Sequence, residues 1–322
     1  SLAIAAYSTY GERKIAAVIQ DRIGPDRAGP WGILQPLADG GKFFLKEDIT
    51  PKDADKFLFI LGPSLFILTA LMTSAIIPWG KSFYFGDHEF SLQVANLNVG
   101  ILYLLAVVSI GGYGIMIGGW ASNNKFALLG ALRASSQMIS YEVPMGMAII
   151  SIVLMSGSLN LREIVDMQQG FHWNVFYQPL GFLIFLICAF AECNRAPFDL
   201  PESESELIGG YHTEYSSMKL GFFLFAEYIN MFISSAIISC LFFGGYHFPG
   251  LDSLNMSPNI AAIVSICVLF GKIFFFIFFF MWVRWTLPRF RYDQLMRLGW
   301  KVLIPLSIFN VLATGAWLTF VK

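Results

Sequence analysis

Residues 192–215 read ECNRAPFDLPESESELIGGYHTEY and lie between two apolar runs, at 176–191 and 220–245. The stretch carries Glu192, Asp199, Glu202, Glu204, Glu206 and Glu214, with Arg195 as its one strong cation. A merely solvated acidic loop would lack the interleaved Pro197-Phe198, Leu200-Pro201 and Leu207-Ile208, so this connection is expected to fold back into protein. Carboxylates gathered between lipid-compatible segments mark residues 192–219 as the place where function concentrates.

Outward from this stretch the chain is built for lipid. Hydrophobic residues make up 56% and charged residues 13%, and mean hydropathy is +0.62; a soluble domain carries about a quarter charged residues. Apolar segments recur at 57–78, 99–120, 132–156, 220–245, 260–283 and 302–320, with a shorter one at 176–191. About 20 residues span a bilayer. The first stretch meets Gly11-Glu12-Arg13-Lys14 too early for that, and is read as a spanning helix whose N-terminal half precedes residue 1. The expectation is a single all-α membrane domain over 1–322 with eight spanning helices, since continuous runs of this length exclude barrel strands.

Cation placement orients the bundle. The connections after the first, third, fifth and seventh helices hold 17 of the 21 Lys and Arg residues, which puts them on the cytoplasmic or matrix side, the basic end. The first of these connections, 11–55, holds a segment from Pro36 to Glu47 with Ile33, Leu34, Leu37, Phe44 and Leu45 on one stripe and Gln35, Asp39, Lys42 and Lys46 on the other. That pattern predicts an amphipathic helix lying in the membrane interface.

Two carboxylates fall where lipid should be. Glu142 lies in the fourth apolar segment, two residues before Pro144, and Glu227 lies in the sixth. Each is expected about 10–15 Å from the basic end at 1.5 Å per residue, level with Glu192. An ionised group at mid-bilayer costs about 2.5–3.5 kcal/mol even on insertion scales, so such groups need partners, water or a raised pKa. A raised pKa suits a carboxyl to carrying protons; the plainer alternative pairs them with Lys272. Phe274–Phe280 reads as lipid-facing surface, and Trp79, Trp120, Trp282 and Trp300 as interfacial anchors. The four cysteines show no CxxC pairing and the four histidines no ligand spacing, so no metal, flavin, iron–sulfur cluster or nicotinamide held by this chain is expected. A net charge of −1 gives no reason to expect nucleic acid as a partner.

Four long motifs resemble one family. They are GERKIAAVIQDRIGPDRAGPWGILQPLADGGKFFLKE (11–47), SYEVPMGMA (140–148), ECNRAPFDLPESESELIGGYHTEYS (192–216) and WVRWTLPRFRYDQLMRLGWK (282–301). The family is the quinone-chamber membrane subunit of respiratory complex I, and the similarity runs from Tyr10 to the end. It implies eight transmembrane helices and an interfacial helix at the heel where membrane and peripheral arms meet. It also implies a proton-translocating NADH:quinone oxidoreductase in which this subunit frames the entrance and tunnel for quinone, ubiquinone or menaquinone. By the resemblance, FMN and iron–sulfur clusters sit in partner subunits, and no residue here is catalytic in the sense of holding a redox cofactor. The implied partners are peripheral-arm quinone-site subunits, antiporter-like and small membrane subunits, quinone and membrane lipid. Carried over by motif, Glu12, Arg13, Arg22, Asp39, Lys42, Lys46, Arg195 and Arg284 would bind quinone. Glu142, Glu192, Asp199, Glu202, Glu204, Glu206, Glu214 and Glu227 would form a proton or charge relay. The implied location is a bacterial inner membrane, with the mitochondrial inner membrane as the alternative. Two other readings remain at this point: the equivalent subunit of a membrane-bound hydrogenase complex, and a stand-alone secondary transporter whose acids bind ions at broken helices.

Overall fold

The apolar runs become helices because a backbone in lipid must satisfy its own hydrogen bonds. The computed structural model describes residues 1–85, 88–201, 204–250 and 257–321, with backbone alone at 204, 205 and 321. In chain order the elements are α1 (Leu2–Ile19), α2 (Gln35–Leu45), α3 (Lys56–Thr73), β1 (Phe83–Phe85), β2 (His88–Phe90), α4 (Gly100–Ala121), α5 (Lys125–Ser156), α6 (Leu161–Asp166) and α7 (Asn174–Tyr177). They continue as α8 (Pro179–Glu192), α9 (Glu204–Leu207), α10 (Ser217–Phe242), α11 (Pro258–Thr286), α12 (Tyr292–Leu298) and α13 (Ile304–Val321). β1 and β2 form an antiparallel hairpin with Phe83 opposite Phe90, and α12 runs into α13 through a π-helical turn at Gly299–Leu303.

Among the described residues six helical stretches are long and apolar enough to cross a membrane: α3, α4, α5, α10, α11 and the α12–α13 unit. The shorter apolar α8 and the more polar α1 complete an all-α membrane protein. Several boundaries differ from expectation. α1 does not end at the polar quartet but carries Glu12, Arg13 and Lys14 on to Ile19. α3 ends at Thr73, because Pro78 holds Ile77 extended, and residues 74–76 tighten into a 3-10 turn first. α5 starts at Lys125, seven residues earlier than the hydropathy suggests, because Asn124 caps it by accepting from the Phe126 N–H.

α3 and α4 pack backbone to backbone in the bundle core. A Cβ on Gly62 would stand 2.8 Å from the Gly118 Cα, and one on Gly114 2.9 Å from the Gly62 oxygen. Small residues let two backbones meet where lipid supplies no hydrophobic drive between helices. On α11 the phenylalanine run is not purely lipid-facing: Phe274, Phe275 and Phe278 are exposed, whereas Phe276, Ile277 and Phe280 are buried. The helical period divides the run between two faces. Trp120, Trp282 and Trp300 are exposed as anchors should be, but Trp79 is stacked between Phe232 and Phe270, each at 5.8 Å.

Candidate functional site

α8 ends inside the protein. Its final residue, Glu192, shares a small enclosed space with Asn230 and Ser234, about 20–25 Å along α10 from Ser217. The chain beyond it stays buried: Cys193, Asn194, Arg195, Phe198, Asp199 and Leu200 are all at most 5% exposed. A broken helix inside a membrane bundle leaves carbonyls that protein must satisfy. Gln137 of α5, fully buried, does so, donating from Nε2 to the Ala191 and Phe198 oxygens, both at 2.8 Å. The acidic connection thus folds back into protein as predicted, and Glu192 sits inside the bundle.

Glu12 is the hub of the site. Its carboxylate, 5% exposed, accepts from Arg195 Nη1 at 3.1 Å, from the Tyr228 hydroxyl at 2.8 Å and from Arg284 Nη1. The Arg195 guanidinium lies 4.0 Å over the Tyr228 ring, and its Nε is 3.9 Å from Glu227 Oε2. The Tyr211 hydroxyl donates to Glu227 Oε1 at 3.1 Å. Two arginines therefore face two carboxylates, drawn from α1, α10, α11 and the connection after α8. Burial works against a charged Arg195, but Tyr228, Glu12 and Glu227 outweigh it and hold the group firmly protonated. Tyr211 reaches the site because Gly130 of α5 admits the 3-10 turn Gly210–His212; a Cβ at Gly130 would stand 2.7 Å from the Tyr211 nitrogen.

The remaining acids separate into distinct environments. Glu142 is half-buried on α5. The early start of α5 puts it about 25 Å along that helix from Lys125, further in than predicted. Asp199 Oδ2 accepts from Arg289 Nη2 at 2.8 Å. Glu206, half exposed, pairs with Arg133 at 2.6 Å, and Glu214 accepts from Asn124 Nδ2 at 2.6 Å. Glu202 and the Glu204 side chain lie outside the described residues.

Of the other expected site residues, Arg13 pairs with Asp39 at 2.8 Å and joins α1 to α2. Arg22 is exposed and donates to Gln20, and Lys42 and Lys46 are exposed on and just beyond α2, so none of these three reaches the Glu12 cluster. Lys272 is not the partner of Glu142 or Glu227. Its ammonium donates to the Phe243, Gly245 and His247 oxygens at 2.6, 2.7 and 2.6 Å, closing the chain end of α10. Sequence reasoning missed Tyr211, Tyr228, Gln137 and Arg289. Tyr228 follows Glu227 directly and Arg289 belongs to a quoted motif, but nothing local announces Gln137.

An apolar cleft opens between α1 and α11 beside this cluster, lined by Ile4, Tyr7, Gly11, Ile15, Ile277 and Met281 among others. Gly11 adjoins Glu12 in the chain, and Met281 lies one helical turn before Arg284. Among the described residues no group of three His, Cys, Asp or Glu side chains is placed to hold a metal ion.

The family described as NADH dehydrogenase matches residues 1–315. Among its relatives is an H-type chain of the NADH-quinone oxidoreductase of Cytophaga hutchinsonii, 64% identical over 316 residues, covering 98% of this chain and 92% of that protein. The corresponding H-type chain of Flavobacterium johnsoniae is 61% identical over 318 residues, covering 98% and 91%. One of Geobacter metallireducens is 49% identical over 321 residues, covering 100% and 93%.

Proposed function

The chain belongs to the NADH dehydrogenase family of complex I membrane subunits, and from that premise we propose that it forms the quinone entrance and tunnel of a proton-translocating NADH:quinone oxidoreductase. In this reading the same subunit couples quinone reduction to its buried carboxylates. The observation that carries the proposal is the Glu12–Arg195–Glu227–Arg284 set at the head of an apolar cleft between α1 and α11. The cleft offers an isoprenoid tail a path from lipid, and the arginines stand where a polar headgroup would leave it. α2 buries none of its residues and exposes Leu37, Phe44 and Leu45, which suits a helix lying in the headgroup layer beside that entrance. Arg13, Arg22, Asp39, Lys42 and Lys46 are assigned to that mouth.

Reduction of a quinone to a quinol takes up two electrons and two protons. Electrons come from partner subunits, through the flavin and iron–sulfur clusters this reading assigns to them. This chain holds charge in place while protons arrive. Negative charge on a reduced headgroup draws Arg284 and Arg195 toward it and away from Glu12. At 4 Å and an effective dielectric near 20, one unit charge acts on another with about 4 kcal/mol, enough to move a carboxyl by roughly three pKa units. Glu227, which shares Arg195 with Glu12, feels that change first, and Glu192, Glu142 and the acids of the 192–219 connection carry it on toward pumping subunits. The group titrates as a cluster.

The test is Glu227→Gln in the assembled complex. NADH-driven quinone reduction should fall about tenfold or more while electron transfer from NADH to an artificial acceptor is unchanged. An undiminished quinone rate with full proton translocation contradicts the relay. The broken α8 is also what a secondary transporter would use; ion transport by the chain alone in proteoliposomes would favour that reading.

A further inference from the structure

α2 has 11 residues and buries none of them, and a helix that short has little stability of its own. Its place depends on what holds its ends. Toward α1, Arg13 pairs with Asp39 at 2.8 Å, and Gln35 Nε2 donates to the other Asp39 oxygen at 3.1 Å. Ahead of the helix the Tyr10 hydroxyl donates to the Trp31 oxygen at 2.7 Å. Toward α10 the hold is denser. The last carbonyls of a helix have no partner within it, and that of Phe43 accepts from the Ser217 hydroxyl at 2.9 Å. The Phe43 ring lies over Gly221, where an added Cβ would stand 3.5 Å from it. Beyond α2 the Ile49 N–H donates to Ser216 Oγ at 3.0 Å, and the Lys219 ammonium reaches Asp48 at 3.1 Å and the Thr50 hydroxyl at 3.0 Å. The same ammonium lies 5.3 Å from the centre of the Phe59 ring, which stacks on Tyr215 at 4.1 Å. Ser217 has a φ of +53°, a left-handed conformation that a residue other than glycine keeps only where its surroundings enforce it.

Both holds lead to the Glu12 cluster. Arg13 follows Glu12 directly on α1. Gly221 and Tyr228 are two helical turns apart on α10, so the face that receives Phe43 is the face whose Tyr228 donates to Glu12. The three helices thus close a ring. Glu12 and Tyr228 join α1 to α10, Ser217 and Lys219 join α10 to α2 and the chain after it, and Asp39 and Arg13 join α2 back to α1. α1 buries only five of its 18 residues, so ties of this kind decide where it sits.

We propose that α2 is a strap that holds α1 against α10, and that Lys219 is the positioning residue that fastens it. Lys219 stands about 12 Å along α10 from Glu227 and acts at a distance, through Asp48 and Thr50 on α2 and through Asp39 and Arg13 on α1. Its part in the reaction rests on the quinone entrance proposed above, because α1 is one wall of the apolar cleft. With the strap fastened, that wall is fixed and Glu12 stays within reach of Arg195 and Tyr228. With it loose, α1 shifts among positions and the cleft holds quinone less well before and during reduction alike, which raises KM and leaves kcat in place.

The test uses the assembled oxidoreductase. Lys219→Met removes the ammonium and keeps an apolar stem beside Phe59. Amide hydrogen exchange across residues 35–50 and 10–17 should rise about threefold or more. KM for quinone should rise about fivefold, with kcat and the artificial-acceptor rate unchanged. Lys219→Arg, which still reaches Asp48, should restore both exchange and KM. Lys52→Met removes the same charge from an exposed lysine of the same connection and should change neither; an equal effect there overturns the assignment to Lys219. Unchanged exchange in Lys219→Met overturns the strap whatever the KM. Raised exchange with an unchanged KM keeps the strap and overturns the entrance reading on which its part in the reaction rests. Should Lys219→Met not assemble, Asp48→Asn decides, because Asp48 is half exposed and its loss removes only the ion pair: raised exchange across 35–50 supports the strap, and unchanged exchange overturns it.

Discussion

At Glu12 three donors converge on one carboxylate, and removing its charge leaves Arg195 facing only Glu227 and takes from Arg284 the carboxylate it pairs with. Breaking a buried ion pair on one side costs about 3–5 kcal/mol, so Glu12→Gln should lower the thermal unfolding midpoint of the purified protein markedly. Glu206→Gln breaks a half-exposed pair with Arg133 and should cost less than about 1 kcal/mol; equal losses in the two variants would count against the cluster. A second prediction concerns His212, whose imidazole burial lowers from 6.5 to about 4. Its folded pKa lies below the unfolded one, so the stability tied to its neutral form is complete above about pH 6.5 and is lost as pH falls toward 4. Unfolding midpoints measured across that window should fall more steeply for the parent than for His212→Gln; identical slopes would contradict it. Which acids lay deep was legible, because Glu142 and Glu227 stand in long apolar runs. Their partners were not. Glu12 meets Arg195 across 183 residues and Arg284 across 272, a pairing that only helix packing decides, and Lys272 was drawn away by three carbonyls no pattern advertises.

Helix existence was read correctly, and helix ends were not, for identifiable reasons. Hydropathy cannot see that α1 continues through Gly11-Glu12-Arg13-Lys14, because Glu12 is neutralised by distant arginines and Arg13 by Asp39. Nor can it see α8 stop within the protein, because the polar chain that follows is buried and served by Gln137. The glycines give an element-scale prediction. Gly62→Ala drives a methyl against the Gly118 backbone and should cost about 1–3 kcal/mol through overpacking, whereas Gly146→Ala, with nothing within 4 Å of the added methyl, should leave the unfolding midpoint unchanged. Similar effects at the two positions would mean α3 and α4 are not held as close as described. Lys272→Met should raise hydrogen exchange at residues 243–247, since those carbonyls lose their shared donor. Protection there equal to the parent would show that the lysine is not what closes the connection.

On the scale of the molecule, the arginine–carboxylate cluster joins α1, α10, α11 and the connection after α8 beside the apolar cleft, and α8 ends deeper in the bundle. Composition alone announced the membrane, and the motifs announced the family. What neither announced is the partner of each acid: Glu12 and Glu227 share Arg195, Asp199 pairs with Arg289, Glu206 with Arg133, and Glu214 accepts from Asn124. The central claim is that Glu12 and Glu227 act as one unit through Arg195. The direct measurement is a double-mutant cycle on NADH-driven quinone reduction in the assembled complex, comparing Glu12→Gln, Glu227→Gln and the two together. Residues in one charge network couple by about 0.5–3 kcal/mol. The account predicts that the double variant loses little more than the worse single one. Losses in free energy that simply add would contradict it.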